Sequence, residues 1–211
     1  MAQVLAGLTW GWWALPVDPR PLLLALLLLA PWRPLPALAA VQRSERPVAV
    51  CVVAPRVEAI DRGDARGVVP VPDPQLVVVE PLQELRIERG GQLVWHLESS
   101  AGRPIRGPLT WPVAPIAAGE SLSLRLRPLN APVGAFAHVE LIGATPDRMQ
   151  AAAGLISSLG RKPAAWLAAI DAALVANDVP LAWSLLFHAA VPRDPELDGL
   201  RQEVVRRGCG D

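Results

Sequence analysis

The spacing of apolar residues changes once along this 211-residue chain, at Thr145. Upstream of Thr145, apolar residues alternate with polar ones, as they do in strands that bury one face. Downstream they recur every three or four residues, as they do in helices that pack on one side. This order predicts an α+β fold in which a β module over residues 47–144 is followed by a helical module over residues 145–209.

The clearest strands form a pair at residues 85–88 and 92–98. They are separated by a turn that contains Gly90 and Gly91, two residues that accept the positive φ angles of a tight hairpin. In the second strand, the alternation predicts that Leu93, Trp95 and Leu97 share one face. The pair is therefore interpreted as a β-hairpin with one apolar face.

Four further runs are β-branched or alternating, at residues 48–53, 76–79, 121–127 and 136–142. Together with the hairpin they predict a small antiparallel β-sandwich-like module. The stretch between the first two runs carries Gly63, Gly67 and three prolines, and we expect it to form a loosely ordered loop. Trp111, in a proline-rich segment, is expected to close one end of the core.

Four helices are predicted after the change of period, because each apolar stripe is preceded by a capping residue or a proline. They run over residues 146–159, 163–176, 180–190 and 195–207. Thr145, Asp178 and Asp194 are the predicted caps. The predicted buried stripe of the second helix is Trp166, Leu167, Ile170 and Leu174, and that of the fourth is Leu197, Leu200 and Val204.

Residues 22–30 are nine consecutive apolar residues. A helix of that length rises about 14 Å, roughly half of the hydrocarbon thickness of a bilayer. With Ala37 and Ala39 behind it, this run predicts a signal peptide over residues 1–39 and an exposed linker over residues 40–46. The predicted location is extracytoplasmic, either periplasmic or secreted. The alternative is a retained membrane anchor over residues 4–30, with its tryptophans at headgroup level.

The balance of charge argues against nucleic acid as a partner. The chain has 20 basic and 20 acidic residues, so it has no general positive field to hold phosphates. No glycine-rich phosphate loop and no serine on a strand-turn-helix elbow is present in the sequence. The sequence therefore predicts no organic cofactor and favours a non-enzymatic role.

Two His-x-Glu pairs are the sharpest candidates for chemistry. His96 with Glu98, and His138 with Glu140, each fall two residues apart on a predicted strand, so each pair shares a face. If the two strands were neighbours, the four side chains would suit a divalent metal such as Zn²⁺. The alternative is that both pairs belong to a solvated sheet face. His188, on a predicted helix, is interpreted as a packing or surface residue.

Cys51 and Cys209 are the two cysteines of the chain. In an oxidising compartment they could form a disulfide that closes most of the mature chain into one loop. The alternative is a buried thiol at Cys51 and an unrelated thiol at the C-terminus, because two cysteines alone fix no geometry.

Two resemblances follow from these residues. The segment with Leu167, Ile170, Phe187, Ala190 and Pro195 resembles a single tetratricopeptide repeat, which implies a helix pair but not the solenoid groove. The order of a leader, the strands GGQLVWHLES and AGESLSLRLRP, and the helical PLAWSLLFHAAVPRDPELDGLRQEV resembles a family of exported cyanobacterial proteins of unknown function. That resemblance implies export and assigns a role to no residue.

The expected function is that of an exported cell-envelope protein, a non-enzymatic interaction or structural module with a protein partner in the envelope. One alternative is a metal-binding protein or metal-dependent enzyme that uses the two His-x-Glu pairs. A second alternative is a membrane-anchored accessory subunit, held by its N-terminal segment.

Overall fold

The computed structural model of the chain describes residues 48–61, 63–100 and 102–208. Within them the chain forms eight strands and then four helices, which confirms the α+β class and the order of its two parts. The predicted signal peptide, the linker and the anchor alternative lie outside the described residues. In the described part of the chain, no helix is both long enough and apolar enough to cross a bilayer.

The strands are β1 (Val52–Ala54), β2 (Glu58–Asp61), β3 (Asp64–Val69), β4 (Val77–Val78), β5 (Leu82–Arg89), β6 (Gln92–Glu98), β7 (Ser121–Pro128) and β8 (Ala137–Gly143). The helices are α1 (Pro146–Leu159), α2 (Pro163–Val175), α3 (Val179–Leu186) and α4 (Pro195–Arg207).

Six of the strands form one open sheet in the order β2-β3-β8-β7-β5-β6, and β1 pairs with β4 in a separate two-stranded sheet. The pairings are antiparallel, as predicted, except that β3 runs parallel to β8. The large sheet does not close into a barrel, so β2 and β6 are its two edge strands in the part of the chain described.

The stretch between β1 and β4 was predicted to be a loose loop, and this prediction was wrong. It contains β2 and β3, and β3 lies inside the sheet next to β8. Gly67 contributes to the misleading local pattern. A Cβ atom at this position would lie 2.5 Å from the backbone oxygen of Arg56, so the glycine permits a close approach of two chain segments within a strand.

The core of the β module lies on one face of the large sheet. Alternate residues of β5, β7 and β8 are buried there, as the alternation predicted: Leu85, Ile87, Leu122, Leu124, Leu126, Val139 and Leu141. Trp111 is also buried in this core, and its Nε1 donates to the backbone oxygen of Ala114 at 3.3 Å. The opposite face of the sheet is therefore left to the polar residues of the same strands.

The helices begin within one residue of the predicted positions, although the side chain of Thr145 makes no capping hydrogen bond. Asp194 caps α4 by accepting from the backbone N–H groups of Glu196 and Leu197 at 3.0 and 3.3 Å. The third helix ends at Leu186 and not at residue 190. Phe187 is its C-cap, and in the turn that follows the N–H of Ala190 donates to His188 Nδ1 at 3.1 Å.

The buried stripe of α2 differs from the prediction at one position. Trp166, Ile170 and Ala173 are buried, whereas Leu174 is 44% exposed. Ala173 falls seven residues after Trp166, close to two full turns, so it continues the stripe more directly than Leu174 does.

The two-stranded sheet β1–β4 is shared by two cores. Val52 packs in the core of the β module, while the next residue, Val53, packs among the helices. In β4, Val78 faces the first core and Val77 the second. Because successive side chains of a strand point to opposite sides, this small sheet joins the β module to the helices.

Candidate functional site

The polar face of the six-stranded sheet carries a network of charged side chains. Its centre is Glu84 of β5, which is only 5% exposed. One carboxylate oxygen of Glu84, Oε1, accepts from Arg86 Nε at 2.6 Å and lies 3.0 Å from His96 Nε2. The other, Oε2, accepts from Arg127 Nε and Nη2 at 3.0 and 2.8 Å. The arrangement follows from the register, in which Glu84 faces Arg127 on β7 and Glu98 on β6.

The electrostatics of this network favour a charged Glu84. Burial alone would raise the pKa of the Glu84 carboxyl, but the hydrogen bonds and positive charges of Arg86 and Arg127 outweigh it and hold the pKa below its usual value. The guanidinium of Arg86 also lies over the ring of Phe136, with Cζ 4.8 Å from the ring centroid. The carboxylate is therefore held in place by positively charged neighbours.

His96 and Glu98 belong to this network and do not meet the second predicted pair. His138 Nδ1 lies 3.7 Å from Asp64 Oδ1. Glu140 accepts from Arg66 at 2.6 Å and from Ser121 at 2.7 Å. The sheet therefore places the two His-x-Glu pairs in two different groups of side chains.

The metal hypothesis depended on neighbouring strands, and that premise was wrong. Strands β5 and β7 lie between β6 and β8, so the two pairs are separated by three strand spacings, about 14 Å. Among the residues that the structure describes, no group of three or more His, Cys, Asp or Glu side chains could hold a metal ion. The four residues His96, Glu98, His138 and Glu140 do not converge on one ion.

The two edges of the large sheet differ in length and in character. At one edge, β2 has four residues, begins with Glu58 and ends with Asp61. A short edge strand with charged ends is a common protection against pairing with another chain. At the other edge, β6 has seven residues, of which Leu93, Val94, Trp95 and Leu97 are apolar, and it contains neither proline nor lysine.

The outer side of β6 is accessible. In the described part of the chain, β5 is its one hydrogen-bonded neighbour strand. Leu93 and Val94 are 55% and 45% exposed, although both are large apolar residues. A long, apolar and uncovered edge strand is a template for pairing with another polypeptide. The edge formed by β6 is therefore a better candidate for a functional surface than the edge formed by β2.

A β-bulge at Val94 changes the predicted face of Leu93. Ile87 of β5 pairs with Trp95, and the next residue of β5, Glu88, pairs with Leu93. Val94, which lies between Leu93 and Trp95, is therefore an extra residue of β6 without a partner in β5. Leu93 consequently lies on the side of Glu88 and is exposed, whereas Trp95 and Leu97 pack against the core as predicted. The prediction of one shared face was wrong for Leu93.

The predicted disulfide lies partly outside the described residues. Cys51 is half-buried, and its backbone N–H donates to Glu80 Oε2 at 2.8 Å. Cys209 is not among the described residues, so its bond to Cys51 stays a prediction.

Comparison with known proteins found no family model that matches the chain, and no similar curated protein or solved structure. Similarity therefore assigns no role to His96, to Glu98 or to any residue of β6. The resemblances to a tetratricopeptide repeat and to the exported cyanobacterial family stay predictions.

Proposed function

We propose that the protein is an exported, non-enzymatic interaction module of the cell envelope, and that it binds an extended segment of a protein partner along the outer edge of β6. The observation that supports this proposal is the contrast between the two edges of the sheet. Strand β2 is short with charged ends, whereas β6 is longer, apolar and uncovered in the described part of the chain.

The backbone of β6 supplies the affinity in this proposal. The N–H of Ser99 donates inward to the oxygen of Gln83 at 2.8 Å. Because backbone groups alternate in direction along a strand, those of His96 and Glu98 point outward. A partner strand would form hydrogen bonds to these outward groups, as in other cases of β-strand addition.

The side chains along the edge supply the specificity. Leu93 and Val94 form an exposed apolar pair near the hairpin turn, and they favour an apolar residue of the partner. At the other end of β6, the side chain of Glu98 is 58% exposed, and although it lies 3.7 Å from Arg127, its exposed carboxylate favours a basic residue. The partner segment is thus an extended one with an apolar and a basic end.

Site-specific cross-linking in the native cell envelope tests the proposal. A photoreactive residue replaces Val94 in one variant and Val133 in the control, because Val133 is 90% exposed and lies outside β6. We expect one envelope protein to be cross-linked at position 94 and not at position 133, and this adduct to be lost when Leu93→Lys is added. Equal adducts at both positions, or none at position 94, would contradict the proposal.

Export is tested separately by N-terminal sequencing of the protein purified from its native cells. A start near Ala40 is the expected result, because Ala37 and Ala39 are the predicted cleavage signal. A start at Met1 together with sedimentation in the membrane fraction would favour the anchored accessory subunit.

A further inference from the structure

A cavity of about 680 Å³ lies between strand β4, the segment that follows α3, and helix α4. Its volume falls within the range of roughly 300–1,000 Å³ that is typical of sites for small organic ligands. The wall on the side of the β module comes from Gln75, Val77, Val78, Gly107 and Pro108, and the rest comes from residues after α3 and from α4. No part of it overlaps with β6.

One part of the cavity wall is apolar. Phe187 and Val191 line it, and Val191 is partly exposed while it packs against the helical core. Val205 of α4 also lines the cavity and packs against the helical core. An apolar body placed here would be removed from water, which is the main source of affinity for small ligands.

The charged residues that line the cavity are positive. Three arginines line the cavity, Arg193, Arg201 and Arg206, and no aspartate or glutamate among the described residues does. Arg201 forms an ion pair with Asp198 at 2.6 Å, and Arg206 forms one with Glu203. Arg193 is exposed and forms no ion pair within the described residues. One guanidinium at the cavity is therefore available to an anion, and this group matches the geometry of a carboxylate.

His188 adds a neutral hydrogen-bond donor to the lining. Its ring stacks on Trp166, with the centroids 5.9 Å apart, and its Nδ1 accepts from the backbone N–H of Ala190 at 3.1 Å. Burial lowers the pKa of His188, although the charge of Asp73 opposes this shift. The neutral ring then carries its proton on Nε2, which has no hydrogen-bond partner within the described part of the chain.

We infer that this cavity binds a small amphipathic carboxylate. The apolar body of the ligand lies against Phe187, Val191 and Val205, and its carboxylate accepts from Arg193 and from Nε2–H of His188. This site is independent of the edge of β6, so either proposal can fail without the other.

Titration calorimetry with three probes tests the ligand class on the full-length chain. Decanoate has both the apolar body and the carboxylate, decanol lacks the charge, and acetate lacks the apolar body. We expect saturable binding of decanoate, below its micelle concentration, that is at least about tenfold tighter than that of either control probe. The absence of saturable decanoate binding, or equal binding of decanoate and decanol, would overturn the inference.

Two pairs of variants locate the bound probe. Arg193→Gln is expected to weaken decanoate binding about tenfold, as for the loss of one charge-assisted contact, while Arg161→Gln, at an exposed arginine outside the cavity, leaves it unchanged. Ala189→Trp is expected to occupy part of the cavity and weaken decanoate binding at least about tenfold, whereas Ala190→Trp, at an equally exposed neighbour outside the lining, leaves it unchanged. If Arg193→Gln and Ala189→Trp bind decanoate like their controls, the probe binds elsewhere and the inference is wrong.

Discussion

Glu84 of β5 and Arg127 of β7 form an ion pair that is buried on the polar face of the large sheet. They face each other in the strand register, and Arg127 donates to Glu84 Oε2 from both Nε and Nη2. The two residues are 5% and 8% exposed. Since β5 also carries the edge strand β6, this pair helps to hold the strand on which the proposed interaction depends.

Replacing the carboxylate tests how much this pair contributes to stability. Glu84→Gln keeps the shape but removes the buried charged partner of Arg127 and leaves it only the exposed Glu98 at 3.7 Å, so we expect a loss of about 3 kcal/mol in the free energy of unfolding. The control is Glu140→Gln on the same face, since its pair with Arg66 is exposed to solvent and should cost less than about 1 kcal/mol. Urea unfolding of the three proteins measures both values, and equal losses would contradict the buried role of Glu84.

The pH dependence of stability gives a second prediction for Glu84. In the unfolded chain the Glu84 carboxyl takes up its proton at a pKa near 4.5, whereas its pKa in the folded protein is lowered, mainly by Arg86 and Arg127 against the opposing effect of burial. The unfolded state therefore binds more protons in this window, and the free energy of unfolding falls as the pH drops from about 4.5 through the lowered folded value.

Unfolding curves at a series of acidic pH values measure this effect. Because Gln does not titrate, we expect a shallower acid dependence in Glu84→Gln than in the unmodified protein. Parallel pH dependences would show that the Glu84 pKa is not lowered by folding.

A thiol titration tests the predicted bond between Cys51 and Cys209. Gly208 precedes Cys209, and a Cβ atom on Gly208 would lie 2.9 Å from Val53 Cγ2, two residues from Cys51. The described chain thus brings the neighbours of both cysteines together. We expect the denatured exported protein to show no titratable thiol before reduction and two after it.

Reduction of this bond should also destabilise the protein. A loop of this length is expected to contribute roughly 5 kcal/mol through the entropy of the unfolded chain. Cys209→Ser should show one thiol and the same loss as reduction. Two thiols in the unreduced protein would remove the bond.

Local patterns in the sequence predict most of the fold. The alternation in β7 identifies Leu122, Leu124 and Leu126 as buried, and the Asp194 cap with its proline marks the start of α4. The failure at β2 and β3 has a physical cause. Strand β3 is defined by pairing with β8, where Arg66 meets Glu140 from 74 residues further along, and no local pattern encodes such a distant partner.

The candidate site is less predictable than the fold. Spacing correctly placed His96 and Glu98 on one polar face, because side chains alternate along a strand. It could not reveal that two strands separate this pair from His138, since strand order is a property of the whole sheet. The position of β6 at an edge and the bulge at Val94 could not be predicted either, because both depend on how β6 pairs within the sheet.

The affinity of the partner captured at position 94 tests the central claim about β6 most directly. Val94→Lys places a charge on the exposed edge, whereas Val133→Lys places the same charge on an exposed site outside β6. We predict that the dissociation constant rises at least about tenfold in Val94→Lys and stays unchanged in Val133→Lys. Equal affinities for the unmodified protein and both variants would contradict an interface at this edge.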